Sequence, residues 1–566
     1  MLPTFLSRTH GGPRRHARAV RSRPRLEPLE GRALLTGWPW APQLPAGSLD
    51  PTFGSGGQVV SGLGVGGNSA VDVAVQSDGA VVTLVDSYNG QHAGSWYLTR
   101  LTTSGQLDAT FHGSSGSWFT SGLSSGDDAT KVAVESDGKL LIGGWQVDPS
   151  SGRHVPLVER TNADGSLDPT FAFAGSPVLD SVSGLAFSGT RIVVTGEGTG
   201  SYSGQFVVLR LNADGSLDPT FGAGGVAAAS LGSGLSGNAS AVAVAPDGTI
   251  VLGGTGQPGT GQTRTAVATF SPGGVLTHLA LGPGNTAVEG SIRSVAIQPD
   301  GKIVAAGWFL DTSSASPNAA GYLVTRYTAA LGVDTSFGTN GQVLGKIPGD
   351  NAGAVDVAIQ RDGKIVVGTG AAAVVRLDPD GAFDPTFGKG GTAVVSLTSG
   401  TQGGVNATAL GPDGNIVLAG PAVNPGASDT QVTLARILGK ATAGPTPVVA
   451  AQGLTVEAPA GTWFVHQVVT FEVTNRLPGA IAIPGSAFRA WVNWGDGTFS
   501  AGQVKLTADG TYQVVGSHRY KKRGTYRTTT QILAWPPGIV LAEVQGKVVA
   551  GGKARVQGSR SLARSH

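Results

Sequence analysis

Residues 207–222 read Val207-Val-Leu-Arg210-Leu-Asn212-Ala-Asp214-Gly215-Ser-Leu217-Asp218-Pro-Thr220-Phe221-Gly222, and residues 241–254 read Ala241-Val-Ala-Val-Ala-Pro-Asp247-Gly248-Thr-Ile-Val-Leu-Gly-Gly254. Both phrases recur, and their recurrence decides the fold. The first returns with its leading apolar residue at 49, 107, 167, 217, 276, 333 and 383. The copy at Leu276 is worn, and the one at Val333 reads Val-Asp-Thr-Ser-Phe. The second returns at Asp78-Gly79, Asp137-Gly138, Asp247-Gly248, Asp300-Gly301, Asp362-Gly363 and Asp413-Gly414, with a degenerate copy at Ser188-Gly189. Two phrases agree on seven copies, spaced 50–62 residues apart.

Asp-Gly between β-branched runs is a strong hairpin signal, and a type I′ turn is expected at each copy. A third strand is expected at 97–101, 206–211, 322–327, 374–377 and 432–437, usually with an Arg one residue before its end. A shorter fourth follows the Phe-Gly-x-x-Gly turn, at 58–60, 226–229, 342–344 and 392–395. Isolated hairpins leave edges open and bury too little surface. Four short strands per copy match one blade of a β-propeller. The expected fold is all-β: a seven-bladed propeller over residues 48–438, 28 strands in all. The worn copies should be held by neighbouring blades. The closure frame is open, and a β-solenoid is the structural alternative. The phrase RLNADGSLDPTFGAGG followed by AVAVAPDGTIVLGG resembles the delta-60 repeat, a bacterial propeller repeat family of undefined function. That resemblance implies the fold.

Composition agrees with this reading. Among 566 residues there are 90 Gly, 32 Pro and no Cys. The missing sulfur excludes a disulfide scaffold, Cys-ligated zinc and Cys catalysis. No run of 18 apolar residues is present, so no membrane-spanning helix is expected. The formal charge of +2 conceals three blocks. Residues 1–32 carry eight Arg against two Glu, residues 33–438 sum to −13, and residues 439–566 sum to +9. The acidic body would repel phosphate, and no nucleic-acid partner is expected.

Residues 1–37 read as a basic, disordered leader without the apolar stretch of a standard secretory signal. Its string Leu26-Glu-Pro-Leu-Glu30-Gly-Arg-Ala-Leu-Leu35 resembles the leader of large planctomycete-type surface and secreted proteins, which implies export. The alternative is a basic nucleic-acid arm on a cytoplasmic protein.

Residues 439–447 form a linker rich in Ala, Gly, Pro and Thr, and residues 448–555 a second β domain with strands at 454–457, 468–474, 489–493, 503–506 and 526–533. A disordered tail at 556–566 is expected after it. Val492-Asn-Trp494-Gly-Asp496-Gly497-Thr and His518-Arg-Tyr520-Lys-Lys-Arg-Gly524-Thr-Tyr526 resemble the PKD domain, an immunoglobulin-like sandwich of surface proteins. The resemblance makes Trp494 and Tyr520 core residues and Gly495-Asp496-Gly497 a hairpin turn. Arg523 stands where that family usually has Pro. Arg519, Lys521, Lys522, Arg523 and Arg527 form the densest basic cluster outside the leader. They read either as a solvated turn or as a site attracting an anionic surface polymer.

Candidate chemistry is sparse. Asn162-Ala-Asp164-Gly165-Ser-Leu-Asp168 recurs as Asn212 to Asp218 and, diluted, as Asp378 to Asp384. Alternating carboxylates before Gly suit a calcium loop, but the further Asp/Asn and the bidentate Glu are missing. A self-capping turn is the simpler reading. The phrase Phe should pack between blades. His92, His112, His154 and His278 are solitary and expected in loops. Asp86, Asp127, Asp128, Asp311 and Asp350 stand outside the repeated turns as ordinary loop acids. Trp96, Trp118, Trp145 and Trp308 suit blade packing or a sugar-stacking face. No catalytic, cofactor or metal residue is assigned. The expected function is a non-enzymatic, exported or cell-surface binding, adhesion or scaffold protein whose partner is a surface glycan or another extracellular protein. The alternatives are a glycosidase or lyase using a carboxylate pair in the propeller channel and a calcium-stabilised surface protein.

Overall fold

The computed structural model describes residues 43–61, 67–88, 95–112, 117–119, 127–232, 234–258, 263–282, 288–311, 319–348, 352–395, 404–423, 430–443, 448–474, 485–534 and 540–551. The leader, the tail, His92 and Asp350 lie outside these residues, as do 444–447 of the linker. No helix among the described residues is long and apolar enough to cross a membrane.

Seven antiparallel sheets form a ring. Blade I comprises Gly67–Val75, Val81–Tyr88, Ser95–Leu101 and Ser117–Phe119, and blade II Asp128–Val134, Leu140–Val147 and His154–Thr161. Blade III is Gly184–Ser188, Arg191–Glu197, Phe206–Leu211 and Val226–Ala229, and blade IV is Leu235–Val244, Ile250–Pro258, Arg264–Phe270 and Leu276–Leu281. Blade V is Val288–Ile297, Ile303–Asp311, Ala319–Tyr327 and Gln342–Gly345; blade VI is Ala354–Ile359, Ile365–Thr369, Ala373–Leu377 and Thr392–Val394. Blade VII takes Ala407–Leu410, Ile416–Val423 and Thr430–Ile437 from the end of the repeats and its outer strand, Gln58–Ser61, from the start. The first strand of every blade touches that of the next, and the cycle closes from blade VII to blade I. Buried clusters of Val, Leu, Ile and Ala lie in the seams between blades. The closure left open by the sequence is a shared blade: Leu438 N–H donates to Ser48 O and Gly47 N–H to Leu438 O, bridging the point where the repeat is cut.

The Asp-Gly turns differ from expectation. Gln76 N–H donates to Ala80 O and Gly79 N–H to Gln76 O, and the same pattern recurs from Glu135, Ala245, Gln298, Gln360 and Gly411. Only the Gly has positive φ, +87° at Gly79. This is a three-residue loop, a type I turn ending in a left-handed Gly, rather than a two-residue type I′ turn. Asp78 stays at negative φ and its Oδ1 accepts the Ala80 N–H at 2.9 Å. Side-chain capping, not tolerance of positive φ, selects the Asp.

Blade II has three strands instead of four. In blade III the residue after the phrase Phe is Gly222, at φ +52°, where a Cβ would lie 2.1 Å from Val226 O. Blade II has Ala172 at that position. Blade I carries His112 there, at φ +47°, and still forms its outer strand, so the lost Gly does not by itself explain the difference; in blade II the chain runs from Phe171 to Gly184 without an outer strand. The worn copy in blade IV still makes its outer strand, through a tight loop in which Ser271 N–H donates to Val275 O.

The C-terminal domain is one eight-stranded sheet ordered Val448–Gly453, Phe464–Thr474, Tyr512–His518, Phe499–Leu506, Phe488–Asn493, Gly524–Ala534, Val540–Ala550, Thr455–Ala458. Its two edge strands are consecutive in the chain, so the sheet nearly closes on itself. Phe499–Leu506 carries the corner: residues 499–502 pair with one neighbour and 503–506 with the other. Trp494 and Tyr520 are fully buried with Phe471, Tyr512 and Ile532. Tyr520 OH donates to Trp494 O at 2.8 Å, and Trp494 Nε1–H to Ser500 Oγ at 2.9 Å, so both polar tips are satisfied inside the core. Residues 495–497 form the expected turn, with Gly495 and Gly497 at φ +77° and +84°. The three strands the sequence did not suggest are Val448–Gly453, Tyr512–His518 and Val540–Ala550.

Candidate functional site

The repeated acids hold the ring together. In blade II, Arg160 Nε donates to Asp168 Oδ2 at 2.8 Å, and Asp168 Oδ1 accepts the Thr170 N–H and hydroxyl. Arg160 Nη1 crosses the seam to the Ala213 carbonyl of blade III, and its guanidinium lies 4.8 Å over the Phe171 ring. The same four-part clasp is built on Arg100, Arg210, Arg326, Arg376 and Arg436, each over its phrase Phe. Their seam acceptors are the carbonyls of Ala163, Pro272, Pro379, Gly439 and Thr103. The last joins blade VII to blade I, with Asp50 from the start of the repeats as the partner of Arg436. In blades II, III, V and VI a second cation (Lys139, Arg191, Lys302 or Lys364) reaches the clasp Asp. Burial opposes ionisation of Asp168, Asp218 and Asp384, yet the hydroxyl, amide and cation donors outweigh it and hold all three carboxyls well below the usual range.

Six of the seven seams carry the clasp. The exception lies between blades IV and V, where Thr269 takes the Arg position and the phrase has neither Asp nor Phe. At four of the other seams the phrase Gly seats against the ring of the preceding blade's Phe: a Cβ on Gly165 would meet the Phe111 ring at 2.7 Å, and one on Gly381 the Phe337 ring at 2.9 Å. At the exceptional seam that Gly is replaced by Leu331, at φ +59°. Its buried side chain joins Val251, Val267 and Tyr327.

The acids of the calcium-like phrase do not converge. Asp164 and Asp214 cap the N–H and hydroxyl of Ser166 and Ser216. Among the described residues no group of three or more His, Asp or Glu is placed to hold a metal ion.

Two of the acids outside the turns, Asp86 and Asp128, interact across the seam between blades I and II, on strands rather than in loops. Asp86 lies near the end of the second strand of blade I and Asp128 opens the first strand of blade II. Burial and the Asp86 charge push the Asp128 carboxyl up to about 6. Asp127 is buried and its Oδ1 accepts the Val147 N–H at 2.7 Å. Trp145, paired in register with Asp128, stacks on His154 at 3.9 Å. Trp96 is core in the same seam. Trp308 is half-buried, the side chain of Trp118 lies outside the described residues, and Asp311 ends a blade V strand remote in sequence from the pair. His112 holds a left-handed turn at φ +47° in place of the Gly that follows the phrase Phe in blade III, and His278 lies on the outer strand of blade IV.

A second cluster escaped sequence analysis. On the first strands, Asp72 Oδ2 accepts the Val132 N–H of blade II at 2.9 Å, and Asp356 Oδ2 the Thr408 N–H of blade VII at 2.8 Å. Lys131 Nζ lies 3.8 Å from Asp72 Oδ1. Burial raises the Asp72 carboxyl despite Lys131, and burial together with the Asp72 charge raises Asp356 to about 6. The signal was the acid in Val71-Asp72-Val73 and Val355-Asp356-Val357, which interrupts an otherwise apolar inner strand.

In the C-terminal domain the basic cluster divides. Arg519, Lys521, Lys522 and Arg523 are exposed together at one end, whereas Arg527 stands within Gly524–Ala534, paired in register with Lys547. Asp496, at the same end, is held by Thr498 and by His518 Nε2 at 2.9 Å.

A family model described as "Domain of unknown function (DUF5122) beta-propeller" matches residues 135–171, 191–221, 298–337 and 360–387. No curated protein matches the chain. Among solved structures it is similar to the WD40 β-propeller domain of Doa1, with 12% identity over 67% of this chain and 97% of that one and a TM-score of 0.38. A protein of unknown function from Dyadobacter fermentans DSM 18053 gives 11% identity, the same coverages and a TM-score of 0.38. Virginiamycin B lyase from Staphylococcus aureus gives 12%, 67%, 98% and 0.38. The four segments matched by the family model fall in blades II, III, V and VI, the blades whose clasp Asp takes two cations, and with the seven-sheet ring they identify the chain as a β-propeller repeat protein.

Proposed function

We propose that this is an exported, non-enzymatic binding or scaffold protein of the cell surface, in which a rigid propeller carries a PKD-like, immunoglobulin-type sandwich. The observation that carries the reading is the use of the repeat's charged groups. Six Arg–Asp clasps tie blade to blade, which favours a stiff platform over a reactive cavity. The leader's resemblance supports export, and the PKD-like turn and core support a surface module. Fractionation of the producing cell tests it: the protein should sediment with envelope or medium and bind isolated wall material. Recovery in the cytosol, without wall binding, would refute it.

A second reading is a glycan-cleaving enzyme, favoured by the Asp86–Asp128 pair beside Trp145. In that reading Asp128, protonated below about pH 6, donates its proton to the leaving oxygen as the glycosidic bond breaks, and Asp86 takes a proton from the water that attacks the anomeric carbon. Release of reducing ends from a polysaccharide panel, abolished by Asp128→Asn, would establish it.

A further inference from the structure

The end of the C-terminal domain combines exposed apolar and cationic groups in one place. Trp463 and Val465 are 71% and 69% exposed. Phe464 pairs with His518 and Val465 with Ser517, so the same register sets Trp463 beside Arg519. Gly461 N–H donates to Tyr520 O at 2.8 Å, pinning residues 461–463 against the basic turn. Phe464 and Tyr520 point inward and are buried, so alternation turns Trp463, Val465, Ser517 and Arg519 outward on one surface. Lys521, Lys522 and Arg523 follow, all exposed.

We propose that this surface binds an acidic polysaccharide, with the Trp463 indole stacked on a sugar ring and Arg519, Lys521, Lys522 and Arg523 taking its carboxylates. The inference rests on the surface-binding reading above and supplies its ligand class. Charge complementarity selects the occupant. Four cations within five residues, in a segment with an excess of basic residues, act together over a Debye length of roughly 8–10 Å, although each alone is worth little. Asp496 can offset only one of the four cations, and its carboxylate is turned to His518 and Thr498. A protein partner would call for a contiguous apolar core; here two apolar side chains sit among cations and Ser517. A polymer alternating flat CH faces with carboxylates fits both features.

The test uses the full-length chain and two polymers of one backbone: polygalacturonate and its fully methyl-esterified form, with oligothymidylate as the nucleic-acid arm. Polygalacturonate should bind, more weakly as salt rises, and the neutral ester should bind at least about tenfold more weakly. Trp463→Ala should weaken binding about tenfold or more with the salt dependence kept, and Trp463→Tyr should restore most of it. Lys521→Gln/Lys522→Gln/Arg523→Gln should flatten the salt dependence. Both sets are exposed, so the unfolding midpoint should not move. Absent binding to polygalacturonate, equal binding of the ester, an unchanged Trp463→Ala variant or tighter binding of oligothymidylate would each overturn the proposal. A protein that still sediments with wall material despite such a result would leave the surface reading standing and this ligand site refuted.

Discussion

Blades IV and V meet without a clasp, while the other six seams each carry an Arg, an Asp, a Thr or Ser and a Phe in fixed geometry. The unclasped seam is closed mainly by apolar packing, in which Leu331 and Tyr327 join Val251, Val267 and Ile292, with hydroxyl hydrogen bonds between Thr255 and Ser291 and from Thr263 to Glu289 in place of the buried ion pair. Losing the phrase Phe removed the obstacle that demands Gly elsewhere, and a Leu occupies the space even at the cost of a left-handed φ, about 1–2 kcal/mol for an L-residue. The pair of solutions separates stability from alignment. Buried ion pairs are often no more stabilising than well-packed hydrophobic replacements. The clasp's directed bonds to a fixed carbonyl set where each blade meets the next, which seven similar apolar faces would leave degenerate.

The largest expected effect comes from breaking one clasp halfway. Asp384→Ala leaves Arg376, 3% exposed, without its partner in the seam between blades VI and VII. A loss of about 3–5 kcal/mol is expected, read from the urea midpoint. Replacing the pair as Arg376→Met/Asp384→Leu should recover more than half of that loss. A double variant as weak as the single one would show that the clasp contributes net stability, and the contrast with the seam of blades IV and V would fail.

The next effect lies at the unclasped seam. Leu331→Gly removes a buried side chain but relieves its positive φ, so a net cost of about 2 kcal/mol is expected. The reciprocal Gly381→Leu should be worse, because its Cβ would already lie 2.7 Å from Gly338 N. If Leu331→Gly were neutral or stabilising, Leu331 would be a tolerated strain rather than a replacement for the missing ring.

Which half of this was legible in the sequence follows from distance along the chain. Strands, blade count and the Phe-Gly turns are local patterns, and Arg one residue before the strand end stood out as a regularity. Its partner eight residues on belongs to the recurring phrase but read as a turn residue, and its acceptor carbonyl lies more than fifty residues away in the next blade, a pairing that no local pattern shows. The Asp-Gly turns were assigned to the wrong type because Asp suits both a left-handed position and a capping role, and only φ separates them. Asp86 and Asp128 looked like separate loop acids because the seam that brings them together joins two blades. Asp72 and Asp356 were passed over because their phrase reads as ordinary strand alternation.

Acidity affects the two classes of acid in opposite directions. The clasp carboxyls are held low in the folded ring, so their stabilisation is complete above the unfolded value of about 4 and is lost as pH falls below it. Asp356 and Asp128 are pushed up to about 6, so folding favours their protonated forms and stability should rise as pH falls from 7 towards 5. The urea midpoint should therefore peak near pH 5. Asp356→Asn/Asp128→Asn should flatten the profile between pH 5 and 7 while leaving the loss below pH 4. A wild-type midpoint that falls steadily from pH 7 would contradict both assignments.

The smallest effect tests the calcium-like phrase, where the turn and metal readings give different answers. Asp214 accepts the Ser216 N–H at 3.0 Å and its hydroxyl at 2.6 Å, both on an exposed loop. Losing these bonds by Asp214→Ala should lower the unfolding midpoint only slightly, because water replaces the lost acceptor. A self-capping turn is indifferent to chelation, so the unfolding midpoint should be the same with and without a chelator, in wild type and variant alike. A bound cation would instead stabilise the native state by mass action, and the chelator would lower the wild-type midpoint more than that of the variant. The comparison is decisive in this exposed loop because the ring's main supports, the clasps and apolar seams, lie elsewhere and cannot mask a shift.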